Sequence, residues 1–170
     1  MLRAVGIFLV VMGTAGFGNS LKNLLNRHLK QLLEFQDIFI GMELDKKSLK
    51  LPYGQMIRRS ARGKSRLCGE ILENIAGAME ENHEMDVGVL WEQAFAERKG
   101  ELLFTEEEQE ILVSLARTLS AERSSTKACE IYFYRLEKQI AQVLEEKKEK
   151  QKLYRAVGIL SGLFLVILLL

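Results

Sequence analysis

KACEIYFYRLEKQIAQVLEEKKEKQKLYRAVGILSGLFLVILLL, residues Lys127 to Leu170, has no proline, and no glycine before Gly158. Its apolar residues Cys129, Phe133, Leu136, Ile140 and Val143 recur at alternating steps of four and three. At 3.6 residues per turn these side chains share one face, so the spacing predicts a helix packed against a core. At Lys147 the row turns polar. Glu146 and Lys150 stand four apart, and Glu145 and Lys148 three apart. Such pairs support a helix that has lost its packing partner by about 0.2–0.5 kcal/mol each. From Ala156 onward no charged residue occurs. The stretch therefore reads as packed helix, then solvated stalk, then membrane span, with no break between them.

The opposite end carries a second apolar run, MLRAVGIFLVVMGTAGFG, whose only ionised side chain is Arg3. Both runs are short for a hydrocarbon core of about 30 Å, which needs about 20 helical residues. Leu153 and Tyr154 extend the second run, and Arg155 can snorkel. Three readings compete for the first run: a cleaved signal peptide, a buried core helix and a permanent anchor. A single arginine before the run and a poor cleavage site at Ala15 and Gly16 count against a signal peptide. The run passes directly into an amphipathic helix, which selects the anchor. Gly6 and Gly13 lie a heptad apart, and Gly158 and Gly162 form a G-x-x-x-G pair. Small residues at these positions would let helix backbones approach closely in lipid. Gly is also common in membrane helices without any such role.

The middle follows the same period. Leu21, Leu25, Leu32, Phe35, Phe39 and Met42 form an inward row with His28, and Leu29, Leu33 and Ile40 are expected to widen it. Lys46, Lys47 and Ser48 are expected to end that helix. Pro52 suits the first turn of the next, which Gly63 ends. Leu67 to Glu81 gives a third helix, with Ile71, Leu72, Ile75, Ala78 and Met79 inward. Asp86 caps a fourth with Val87, Leu90, Trp91, Ala94 and Phe95 inward. Thr105 and Glu108 form a capping box before a fifth, burying Ile111, Leu112, Leu115, Ala116 and Leu119. The fold class expected is all-α: an antiparallel bundle of about six helices whose first and last helices extend into the spans. The divisions are a span at 1–18, a cytoplasmic bundle at 19–152 and a span at 153–170.

Chemistry is sparse. The chain of 170 residues has a formal net charge of +1, so no global basic field recruits nucleic acid. Two cysteines, Cys68 and Cys129, are too few for a disulfide framework and read as reduced, buried thiols rather than a redox pair. His28 lies on an apolar row and His83 in a polar loop, neither at metal-ligand spacing to a partner. GTAGFG at Gly13 to Gly18 lacks the strand–turn–helix context of a nucleotide loop. No catalytic residue, cofactor or metal is assigned. Arg58, Arg59, Arg62, Lys64 and Arg66 form a basic cluster without interleaved aromatics, so no nucleic-acid partner is assigned to it. Its plain reading is a solvated helix face. Its functional readings are docking of an acidic protein surface or of anionic lipid headgroups.

Tyr154 to Leu170 resembles the closing segment of the stage III sporulation protein AB family. The layout resembles it too: the N-terminal span, LPYGQMIRR at Leu51 to Arg59, WEQAF at Trp91 to Phe95, and a fifth helix ending LARTLS. After Leu119 the chain departs from the family's usual Gly, acidic residue and downstream Gln, reading SAERSSTKA. The resemblance implies a non-enzymatic platform subunit of a secretion-like channel between mother cell and forespore. It implies a cytoplasmic domain similar to those of type II secretion platform proteins. Its implied partners are a cytoplasmic secretion-type ATPase (stage III sporulation protein AA), other channel subunits, membrane lipid and further copies of the chain. The basic cluster would then dock the ATPase or a neighbouring platform subunit. The alternative is a generic membrane-anchored helical adaptor outside sporulation, and an ATPase gene immediately upstream would separate the two.

Lys22, Arg27 and Lys30 follow the first run, and Lys147, Lys148, Lys150, Lys152 and Arg155 precede the second, whereas only Arg3 lies beyond either. The positive-inside rule therefore places the middle in the cytoplasm and both termini across the membrane. A reporter active only outside the membrane should work when fused after Leu170 and fail when inserted near Asn82. Activity at Asn82 alone would reverse the topology.

Overall fold

Runs of Leu, Glu, Lys, Ala and Arg interrupted at Pro52, Gly63 and Gly100 give helices of unequal length. In the computed structural model the backbone is described for residues 2–81, 85–121 and 126–169. Side chains are described for 23–81, 85–121, 127–153, 157 and 160. Every regular element among the described residues is an α-helix: α1 (Leu2–Leu49), α2 (Tyr53–Ala61), α3 (Arg66–Glu81), α4 (Val87–Glu97), α5 (Glu106–Ser120) and α6 (Thr126–Leu169). They compose two compact units, Lys30–Ile140 and Met1–Leu29 with Ala141–Leu170.

The unit Lys30–Ile140 holds the main core. α2 packs on α3, α3 on α4 and α4 on α5. Leu32, Phe35, Phe39 and Met42 of α1 are all fully buried, as the heptad-like spacing requires. Phe35 meets Trp91, Phe95 and Phe104 edge-on, with ring centroids at 6.2, 5.6 and 5.3 Å. Each such pair adds about 0.5–1.5 kcal/mol beyond its buried area. Phe39 lies 5.0 Å from Trp91. The indole of Trp91 needs an acceptor in this apolar setting, and its Nε1 donates to Tyr53 Oη at 3.1 Å. Among the described residues, no buried side-chain polar atom lacks a hydrogen-bond partner.

The expected caps form. Asp86 Oδ1 accepts from Val89 N at 3.2 Å. Thr105 Oγ1 accepts from Glu108 N, and the Glu108 carboxylate accepts from Thr105 N at 2.7 Å. Pro52 lies just before α2, and its carbonyl accepts from the amides of Gln55 and Met56. Gly63 follows α2 with φ +76°, a conformation that a Cβ would penalise.

Two expectations are corrected. α1 does not end at Lys46 but continues to Leu49, and Lys50 takes φ +51° after it. Neither lysine disrupts the helix, because both are good helix formers and both find acceptors. Lys46 Nζ donates to the carbonyls of Leu119 and Ala121 at 2.7 and 2.6 Å, capping the end of α5. Lys47 pairs with Glu43 one turn back at 2.8 Å. The second correction concerns the width of the inward row. Leu33 and Ile40 are 45% and 41% exposed, while Ile38 is buried at 1%. The burial extends toward α2, not toward the back of the helix. On α6, Cys129, Leu136 and Val143 are buried and Phe133 and Ile140 are partly so. Lys150 pairs with Glu146 on the stalk.

Among the described residues, no helix is long and apolar enough to cross a membrane. The segments read as spans, 1–18 and 153–170, fall almost wholly outside the described side chains, as do Gly6, Gly13, Gly158 and Gly162.

Tyr53→Phe removes the acceptor of a buried indole N–H. It should cost about 1–3 kcal/mol, read as a lowered thermal midpoint together with a shifted emission of Trp91, the chain's only tryptophan.

Candidate docking surface

The basic cluster spans the end of α2, the turn and the start of α3. The spacing of Arg58, Arg59 and Arg62 on a short helix would leave them side by side in water. The fold supplies a carboxylate to four of the five cations. Arg59 Nε lies 3.3 Å from Asp45 on α1, and Lys64 pairs with Asp37, also on α1. Arg58 reaches Glu80 on α3 at 2.6 Å. Arg66 meets Glu70 one turn on at 2.8 Å, and Arg98 shares that carboxylate at 2.9 Å. Hydrogen bonding from Arg66, helped by the charge of Arg98, holds the Glu70 carboxyl below the usual carboxylate range. Arg62 is exposed and has no ion pair among the described residues.

α1 thus presents an acidic flank to a basic segment. Glu34 accepts from Ser65 N, and Ser65 Oγ in turn accepts from Cys68 N at 3.4 Å at the head of α3. Exposed pairs of this kind contribute about 0–1 kcal/mol each, so they set orientation more than stability. Mutual repulsion among these cations is thus largely offset within the chain. The signal missed was the row Glu34, Asp37 and Asp45, which shares one flank of α1 with Gly41 and Ile38.

Between α1 and α2 lies an open groove of about 320 Å³, lined on one wall by Asp37, Ile38, Gly41 and Leu44 and on the other by Arg59, Ser60, Arg62 and Lys64. The close approach of the helices runs through Gly41, where a Cβ would stand 4.0 Å from Ser60 Oγ. Leu44 is 57% exposed. The groove offers a wall part apolar and part acidic, a guanidinium without a carboxylate and two compensated pairs. That suits binding of a protein surface better than chemistry on a small molecule.

The remaining candidates lie apart from it. Cys68 and Cys129 are free and buried. Burial pushes the Cys68 thiol up to about 12 and raises that of Cys129. His28 is half-buried, and His83 lies outside the described residues, as do residues 122–125. No group of three His, Cys, Asp or Glu side chains is placed to hold a metal ion among the described residues.

The family model for stage III sporulation protein AB matches residues 3–170. The chain belongs to the stage III sporulation protein AB family. No curated protein and no solved structure matches it. The family match reaches from the N-terminal apolar run through the groove to the C-terminal apolar run. A stage III sporulation protein AB chain so matched has a role in stage III of sporulation.

The neutral thiol is the unreactive form. Both cysteines of the folded chain should therefore resist iodoacetamide at pH 8 and at pH 9, and alkylate promptly in denaturant. Prompt alkylation of the native protein would contradict the burial.

Proposed function

We propose that the chain is a membrane platform subunit, without catalysis of its own, of a secretion-like channel between mother cell and forespore during endospore formation. The observation that carries this reading is the family match over residues 3–170 on a chain whose first and last helices run unbroken into the two apolar ends. A cytoplasmic domain tethered at both ends is suited to hold other components at the membrane. The Lys and Arg bias beside the apolar runs supports placing that domain in the mother-cell cytoplasm, in the membrane around the forespore.

The partners on this reading are the secretion-type ATPase, stage III sporulation protein AA, and the other channel subunits. Arg58, Arg59, Arg62, Lys64 and Arg66 provide the docking segment for the ATPase or for a neighbouring platform subunit. Arg62 is its freest charge, and its neighbours act as a framework that fixes the groove. Gly6, Gly13, Gly158 and Gly162 serve packing between spans.

Arg62→Ser tests the docking role more cleanly than replacing the paired cations. Thermal stability should change by less than about 0.5 kcal/mol, as for a surface site without packing. Partner binding and spore yield should fall, and binding by the unaltered chain should weaken as salt rises. Undiminished binding in a folded Arg62→Ser variant would remove the docking role.

A further inference from the structure

The back of α1 is apolar where no part of the unit Lys30–Ile140 covers it. Leu33, Ile40 and Leu44 are 45%, 41% and 57% exposed. They recur at steps of seven and four, so they form one stripe opposite the core row of Leu32, Phe35, Phe39 and Met42. Leu44 joins this stripe to the groove, and Arg62 stands on the other wall. The first face is therefore an apolar row edged by the Asp37–Lys64 and Asp45–Arg59 pairs and by one uncompensated cation, Arg62.

The same unit carries a face of opposite character. Glu106, Glu107 and Glu110 are exposed on the first turns of α5. Glu106 and Glu110 have no ion pair among the described residues, and Glu107 touches Arg135 of α6 only at 4.0 Å. One turn before Arg135 stands Ile131, 59% exposed. This second face is an apolar residue edged by uncompensated carboxylates.

We infer that the α1–α2 groove face of one copy docks the α5–α6 acidic face of a second copy. Complementary charge at the rim sets register and speeds encounter, and the apolar residues supply the buried centre. The two faces are different patches of the chain, so a single contact of one with the other is heterologous. Heterologous contacts propagate into rings or open filaments rather than stopping at a dimer. The inference deepens the platform reading and rests on the docking role given there to the basic segment. It commits that segment to a neighbouring copy.

Charge exchange on the full chain in detergent tests it by sedimentation velocity at low and high salt. The unaltered chain should form species beyond the dimer that dissociate as salt rises. Arg62→Glu alone, and Glu106→Arg with Glu110→Arg, should each weaken association at least about tenfold, since like charges then face one another. A one-to-one mixture of these two variants should recover the larger species, because each face of one variant is complementary to the opposite face of the other and the two can alternate along the assembly. The chain carrying all three substitutions should regain the larger species. Helical circular dichroism unchanged across the set keeps folding out of the comparison. A chain that is monomeric at every salt concentration, association indifferent to either reversal, or failure of the mixture to recover would each overturn the inference. Loss of ATPase binding by Arg62→Ser alongside such a result would leave the platform reading standing.

Discussion

α1 is used on two sides at once, and the arrangement of the other helices follows from that. Its apolar row, Leu32, Phe35, Phe39 and Met42, enters the core and seats the aromatic group of Trp91, Phe95 and Phe104. Its polar flank reaches the segments between helices. Glu34 receives the amide of Ser65, Asp37 and Asp45 receive cations from the α2–α3 region, and Lys46 caps α5. Hydrophobic burial is non-directional and would tolerate several orientations of short helices on one long one. The polar contacts are directional and select one. Each is individually small, but two hold the turn between α2 and α3, one holds α2 itself and one the end of α5, so together they restrict how those helices lie on α1.

The division between what could be read in the chain and what could not follows the same line. Periodicity exposed the inward rows because burial depends on spacing within one element: Leu90, Trp91, Ala94 and Phe95, or Ile111, Leu112, Leu115, Ala116 and Leu119, need no knowledge of neighbours. Caps were legible for the same reason, since Asp86 and Thr105 act on amides three residues away. The end of α1 was not. Lys46 and Lys47 look like a polar terminus until the carbonyls of Leu119 and Ala121 are placed within reach, and those lie more than seventy residues on. Ile38 was missed and Leu33 overcounted because the direction from which α2 arrives is a tertiary fact. The basic cluster was found as a cluster. Its compensation by Asp37, Asp45, Glu70 and Glu80 was not, since all four carboxylates stand outside the run that made the cations conspicuous.

That compensation also narrows where recognition can reside. A cation already held by a carboxylate must give up part of that contact to serve a partner, so its net value in binding is small. Arg62 carries no such obligation, and it borders the apolar wall that ends at Leu44. The family assignment gives the chain its place in sporulation. The groove is one part of its described surface where charge and exposed apolar area coincide.

Gln31 has a consequence of another kind. Its side-chain amide donates to the carbonyl of Glu101 and accepts from the amide of Leu103, both at 2.9 Å, so one group reads a donor and an acceptor on the loop between α4 and α5. Its nearest relatives in shape lack one half of that pair. Glutamate would turn a second oxygen toward the Glu101 carbonyl, lysine would leave the Leu103 amide without an acceptor, and asparagine is one methylene short. A single residue of α1 therefore holds the path of the loop that carries Phe104 into the core, by polar contacts that add direction rather than buried area.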